Sequence, residues 1–296
     1  MPAPNVVSAP STTVRWGQGD HVFELRASDP RILARAAVVF RPWAAVAPGR
    51  PAVTSWTVTA VPDGSGWRAT TGSGEMFTVS GTADRVVTAI EFRAVRAVLE
   101  EPPDVLTFHA ALVARSNRGI LVLGPNEAGK STLACQLWRS GFALLGDDVA
   151  VVDPETGEAR SAPRRVSLRT PSRELLGEAF WARVVAAPSS EGTIDGRVFH
   201  PDEVDDRSRP VSVPLSACIF LARNGASVGP CDTALVPPAQ AVLSLLPYSN
   251  LIRRLDAGTV IGRVAPFAAA VPAFDLGRGP LPQMTEAVER LLREEG

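Results

Sequence analysis

Gly124-Pro125-Asn126-Glu127-Ala128-Gly129-Lys130-Ser131 is the stretch on which the fold turns. Its spacing is G-x-x-x-x-G-K-[ST]. An apolar run, Ile120-Leu121-Val122-Leu123, leads into it and reads as a buried strand over 119–123. A helix over 130–140 follows, with Gly141 placed to form a left-handed cap. In a strand–loop–helix unit the backbone N–H groups cup phosphate oxygens, and the helix N-terminus adds its positive end. Lys130 then reaches the outer phosphates and the Ser131 hydroxyl serves Mg²⁺, while Thr132 continues the first turn. Glycines at 124 and 129 let the backbone turn tightly and approach the oxygens. A plain Gly-rich turn is the bland alternative, and the presence of strand, loop and helix together argues against it.

Outward from the loop, composition narrows the field. The chain has 296 residues, 45% hydrophobic and 21% charged, which suits a core-forming protein of one large or two modest domains. The net charge of −1 provides no bulk field for nucleic acid or an anionic membrane. Lys and Arg together number 30, yet Lys130 is the single lysine, leaving 29 arginines. A compact ammonium is the usual point charge of a phosphate loop, and a guanidinium is a poor substitute there. The lone lysine also excludes a common GTPase, whose guanine-reading Asn-Lys-x-Asp motif needs a second one. No Leu-Ser-Gly-Gly-Gln signature follows the loop, which weighs against an ABC-type transport ATPase.

Cys135, Cys218 and Cys231 are odd in number and far apart, which fits a reducing compartment and neither a disulfide framework nor a zinc site. Residues 1–11 lack a basic-then-apolar leader, and the apolar stretch 264–274 is too short to span a bilayer and contains Pro266 and Pro272. The expectation is a cytoplasmic protein without membrane segments.

Along the chain, β-like runs at 12–16, 21–26, 53–60, 66–70 and 75–80 are separated by turn signals such as Pro62-Asp63-Gly64. Residues 82–101 read as a helix burying Val86, Ile90, Val95, Val98 and Leu99, ended by Pro102 and Pro103. This places a β-rich N-terminal domain at 1–103 and an α/β domain at 104–296. In the second domain strands are expected at 106–115, 142–152 and 215–222, and helices at 238–246 and 281–293.

Leu144-Leu145-Gly146-Asp147-Asp148 follows the loop helix. Two adjacent carboxylates at a strand end need a cation, or their repulsion raises one pKa. Alternation along a strand would aim one at Mg²⁺ and the other at an incoming nucleophile. His109 lies 21 residues before Lys130, on a strand that can neighbour the loop strand.

His-Ala-Ala-Leu-Val (109–113), the loop (124–131) and Leu-Leu-Gly-Asp-Asp (144–148) together resemble the HPr kinase/phosphorylase and phosphoenolpyruvate carboxykinase superfamily. The match is closest to divergent HPr-kinase-like proteins of bacterial peptide-modification gene clusters. It is specific over 109–153, general beyond, and does not cover 1–100. The resemblance implies an HPr kinase/carboxykinase-like P-loop kinase domain behind a smaller β-rich domain. It implies ATP on Gly124, Pro125, Asn126, Glu127, Ala128, Gly129, Lys130, Ser131 and Thr132, with Mg²⁺ on Ser131 and Asp148. Asp147 would take the proton of an acceptor hydroxyl, and His109 would line the phosphoryl or second-metal site. Arg197 would be the basic residue that approaches the phosphates. The implied reaction is in-line transfer of the γ-phosphoryl to a hydroxyl of a peptide, a protein Ser/Thr or a small molecule, with self-association left open. Carboxykinases use further active-site lysines, which this chain lacks. The glutamate-bearing Leu-Glu-Val-Arg-Gly-Leu-Gly motif of true HPr kinases is also absent. A non-catalytic ATP-binding regulatory or scaffold protein is therefore the alternative.

Arg164, Arg165, Arg169 and Arg173 read as a solvated face, with binding of nucleotide or an acidic substrate as the alternative. His200 is open between a site and a surface role. His21 and the cysteines read as structural, and the tryptophans as core.

Overall fold

Alternating apolar positions in the first hundred residues pair into one sheet. The computed structural model describes residues 12–18, 21–43, 51–52, 54–100, 105–207, 209–221, 229–253 and 255–294. The chain divides into two units, Met1–Glu100 and Glu101–Gly296. Pro102, Pro103 and Ala222, which figured in expected element ends, lie outside the described residues, as do 1–11.

In the first unit, strands β1 (Thr12–Gln18) and β2 (His21–Ala27) form an antiparallel hairpin. Helix α1 (Pro30–Val39) then crosses to β3 (Thr54–Ala60), which lies parallel to β2. Strands β4 (Gly66–Thr71) and β5 (Met76–Ser80) extend the sheet antiparallel, and α2 (Ala83–Glu100) follows. The β-rich expectation omitted α1. Its start is nonetheless built by the usual rules: Asp29 accepts the Arg31 N–H at 2.8 Å and Pro30 opens the first turn. The core is aromatic. Trp16 stacks on Phe40 with centroids 3.8 Å apart, and Phe23 and Trp56 stack beside it.

The second unit begins with β6 (Leu106–Phe108), β7 (Ala111–Arg115) and β8 (Arg118–Leu123). Helix α3 (Lys130–Arg139) and strands β9 (Ala143–Gly146), β10 (Ala150–Val152) and β11 (Glu158–Ser161) come next. Then follow β12 (Val166–Arg169), α4 (Ser172–Leu176), α5 (Glu178–Ala186), β13 (Glu191–Gly192) and β14 (Gly196–Phe199). The unit finishes with β15 (Val213–Leu221), β16 (Thr233–Val236), α6 (Pro238–Leu245), α7 (Ala257–Ala270), β17 (Ala273–Leu276) and α8 (Leu281–Glu294).

Nine of these strands make a mixed sheet, while β12, β14 and β13 form a small antiparallel one. In the large sheet β8 lies parallel to β15, and β15 is parallel to β17. Strand β7 is antiparallel to both β8 and β9, with Ala111 opposite Val122 and Leu112 opposite Gly146. Strands β8 and β9 therefore end, and β7 begins, at one edge of the sheet. That edge carries the phosphate loop, the paired aspartates and His109.

The strands are apolar on both faces because both are covered. Val113, Ile120 and Val122 pack with Leu133 and Leu137 of α3, Phe180 of α5 and Val288 of α8. Leu112, Leu121 and Leu123 pack with Leu245 of α6 and Val264 and Phe267 of α7. Helix α7 contains Pro266, so the stretch expected only to be too short for a bilayer is a core helix followed by β17. No helix among the described residues is long and apolar enough to cross a membrane.

Two expected strands are interrupted. Residues 106–115 break at His109 and Ala110, and 142–152 break at Asp147, Asp148 and Val149. Both breaks fall at the edge that carries the glycine-rich loop. Gly146 permits the second one: a Cβ there would lie 1.8 Å from Ser161 Oγ, a hydroxyl anchored on the Val149 carbonyl at 2.8 Å. Gly146→Ala should therefore destabilise the second unit by about 1–3 kcal/mol. In urea denaturation the penalty should shrink when Ser161 is also replaced by glycine, and an equal penalty in both backgrounds would remove Ser161 as the cause.

Candidate active site

The phosphate loop holds the conformation its glycines were expected to allow. Gly129 has φ 98° and, having no side chain, leaves the first N–H groups of α3 without a side-chain cap. Glu127 is also left-handed, at φ 66°. A Cβ on Gly124 would come within 2.8 Å of the Leu221 carbonyl oxygen, so the loop can lie this close to β15 only with glycine there. Lys130 is buried at 7% exposure, and its Nζ donates to the carbonyls of Gly124 at 2.9 Å and Pro125 at 3.2 Å. Burial holds its pKa below the ordinary lysine value, with the Asp147 charge opposing.

Asp147 follows β9 and is buried at 5% exposure. Its Oδ2 accepts from Ser131 Oγ at 2.9 Å and from the Ser167 N–H at 3.0 Å. Burial raises its pKa, against the pull of the Arg164 charge and of these hydrogen bonds. Asp148 turns the other way. His109 Nδ1 lies 2.8 Å from its Oδ1, and the Arg164 guanidinium contacts its Oδ2. Burial, followed by the Lys130 charge, lowers the His109 pKa, while an Asn126 hydrogen bond opposes the shift. The backbone fixes His109 as well, through its N–H to the Tyr248 carbonyl at 2.7 Å.

These groups line one cleft of about 430 Å³. Asn126, Glu127, Gly129, Lys130, Ser131 and Thr132 contribute from the loop and α3, His109, Asp147 and Asp148 from the sheet edge. Of the remaining loop residues, Gly124 and Pro125 supply the carbonyls that hold Lys130, and Ala128 packs against the core. The partners differ from expectation. Ser131 is joined to Asp147, and Asp148 to His109 and Arg164, whereas the resemblance set Asp148 beside Ser131 on the metal. Strand alternation does not operate here, because the aspartates sit in the break after β9.

Arg197 does not line the cleft. It lies in β14, paired with Leu168 and Gly192, and donates from Nε to Ser190 Oγ at 3.0 Å. Arg164 and Arg169 line it instead, though both were read as solvated. Arg169 reaches the loop through Glu127 at 2.6 Å. Arg165 is buried at 1% exposure and bonds the Ser189 carbonyl and Glu191, which ties the start of β12 to β13. Arg173 is on the surface, paired with Glu178. His200 is buried and its N–H donates to Ser189 Oγ, so a surface role is ruled out. No residue-type signal separates these arginines in the sequence; Arg164 and Arg165 precede β12, Arg169 ends it and Arg173 lies in α4.

No family model matches the sequence, and no curated protein matches it. Among solved structures the chain is similar to the HPr(Ser) kinase/phosphatase from Coxiella burnetii, with a TM-score of 0.35 and 17% identity over 64% of this chain and 88% of that one.

A depressed His109 pKa has a measurable consequence. Its folded value lies below the unfolded reference of 6.5, so the unfolded chain binds the proton more readily and stability falls as pH drops through that region. In the metal-free protein the His109 ring resonance, assigned by its loss in His109→Asn, should titrate below 6.5. A midpoint above that value would mean that Asp148 outweighs burial and Lys130.

Proposed function

We propose that this chain is an ATP- and Mg²⁺-dependent kinase that transfers the γ-phosphoryl group to a hydroxyl, on an HPr-kinase-like fold. The observation that carries this reading is the Ser131–Asp147 hydrogen bond beside Lys130, with the His109–Asp148–Arg164 cluster facing the same cleft. The uncapped N–H groups of α3 and Lys130 bind the phosphates. Phosphate oxygens replace the Gly124 and Pro125 carbonyls as partners of the ammonium.

The donor set fits Mg²⁺. Ser131 and Asp147 offer a hydroxyl and a carboxylate within 2.9 Å of each other, and an ion that keeps phosphate and water ligands needs one or two protein oxygens. Bound there, the ion neutralises charge on the phosphates. Asp147 thus serves the metal end, since its Oδ2 already holds two donors. Asp148 faces the acceptor end and takes the hydroxyl proton, with His109 and Arg164 fixing its two oxygens. Arg164 also places a positive charge beside the transferred group.

The acceptor is a Ser or Thr of a peptide or protein, or a small-molecule alcohol, and the reaction belongs in the cytoplasm. Three free, buried cysteines suit that compartment.

Incubation with ATP, Mg²⁺ and hydroxyl-bearing peptides or alcohols should yield products heavier by one phosphoryl group. Lys130→Met should abolish ATP binding. Asp148→Asn should keep ATP binding and lose transfer by roughly 10²–10⁴-fold, whereas Asp147→Asn should weaken Mg²⁺-dependent nucleotide binding itself. Transfer that survives Asp148→Asn undiminished removes this residue from proton transfer. ATP binding with no transfer to any acceptor, in wild type and variant alike, would favour the regulatory alternative.

A further inference from the structure

The cleft has a direction. Lys130 and the Ser131–Asp147 pair mark the end where the outer phosphates and the metal belong. Strand β12 starts beside that end, where the Ser167 N–H donates to Asp147. Extended chain advances about 3.3 Å per residue, so β12 carries the wall roughly 7 Å from Ser167 to Arg169, and a turn through Thr170 and Pro171 follows. Helix α4 then returns the wall to α3, because Ser172 Oγ and Thr132 Oγ1 share a hydrogen bond at 2.8 Å. Leu175 comes next, lining the cleft while 62% exposed. Among the described lining residues, Leu175 and Pro171 alone are apolar side chains. A large exposed leucine on an otherwise polar and charged wall has no use for a polyphosphate.

We propose that Pro171 and Leu175 form the ledge on which the nucleoside base of the bound nucleotide lies. This inference rests on the kinase reading of the same cleft. A triphosphate seated on the loop leaves its nucleoside beyond the inner phosphates, and the Ser172–Thr132 hydrogen bond sets the ledge against the first turn of α3, one residue past Ser131. The acceptor approaches from the His109, Asp148 and Arg164 side and does not compete for it. An uncharged ring with apolar faces matches Leu175 and Pro171, which contact faces and read no base edge. The occupant is therefore a nucleoside base held by packing rather than by hydrogen-bond recognition.

The test compares two ligands that share the phosphates and differ in the base: ATP and inorganic tripolyphosphate, both with Mg²⁺, titrated calorimetrically. Leu175→Ser is uncharged and sits at an exposed position, so tripolyphosphate binding doubles as the folding control. It should weaken ATP roughly five- to tenfold and leave tripolyphosphate unchanged, while Leu175→Phe keeps or improves ATP affinity. Equal ATP affinity in wild type and Leu175→Ser overturns the ledge, as does an equal loss for both ligands. Wild-type protein that binds neither ligand overturns the phosphate-loop reading and the ledge with it.

Discussion

A carboxylate taken out of water without a counter-charge is costly, and Asp147 is the most deeply buried acid at the sheet edge. What makes its position tolerable is the nearby Arg164 charge together with the pair of donors on Oδ2, Ser131 Oγ and the Ser167 N–H. Those bonds join three elements that are remote in sequence: the first turn of α3, the break after β9 and the start of β12. The phosphate loop is thereby held against the small sheet that walls the cleft. Gly146 lets the chain pass under Ser161 just before this point, and Arg165 secures β12 from behind by bonding Ser189 and Glu191. Most of the local architecture serves to keep one acid where water cannot solvate it.

The same arrangement divides the two neighbouring aspartates by environment. Asp147 is enclosed and satisfied by neutral donors, and burial sets the direction of its pKa. Asp148, at 28% side-chain exposure, lies between a histidine and an arginine. Two identical side chains, one peptide apart, thus face different chemistry: one toward a hydroxyl of the loop, the other toward the open cleft. In the proposed reaction this separates metal holding from proton transfer without a third acid.

Much of this was legible in the sequence where physics acts locally. The apolar run 120–123, the glycines at 124 and 129 and the helix ending at Gly141 follow from short-range rules, and the structure has that strand, that loop geometry and that cap. Topology was harder, because it depends on which strands meet: β7 antiparallel to both β8 and β9 is what gathers His109, the loop and the aspartates. Alternation could not say which aspartate faces which partner, because both sit in the break after β9. The arginines defeated a reading by charge alone. Arg164, Arg165, Arg169 and Arg173 look equivalent in a row, yet they end respectively in the cleft, in the interior, on the cleft wall and on the surface. Helix α1 was overlooked although Asp29 and Pro30 are a well-formed start, since β-like runs on either side dominated the reading.

The single lysine among so many basic residues gains a physical account from its surroundings. Lys130 threads a buried stem into the loop and presents one compact ammonium to two carbonyl oxygens, of Gly124 and Pro125. A guanidinium is planar and forked, and must place several N–H groups at once. In a site with 7% exposure and two acceptors on one turn of backbone, part of that fork would be left without partners, which is costly when buried. The arginines at the cleft are found where a fork is useful: Arg164 against a carboxylate and Arg169 spanning Glu127 and Asp195 at a half-exposed rim. The sorting of the two cations follows from shape and burial, with lysine where the charge is enclosed by backbone and arginine where it meets carboxylates near water.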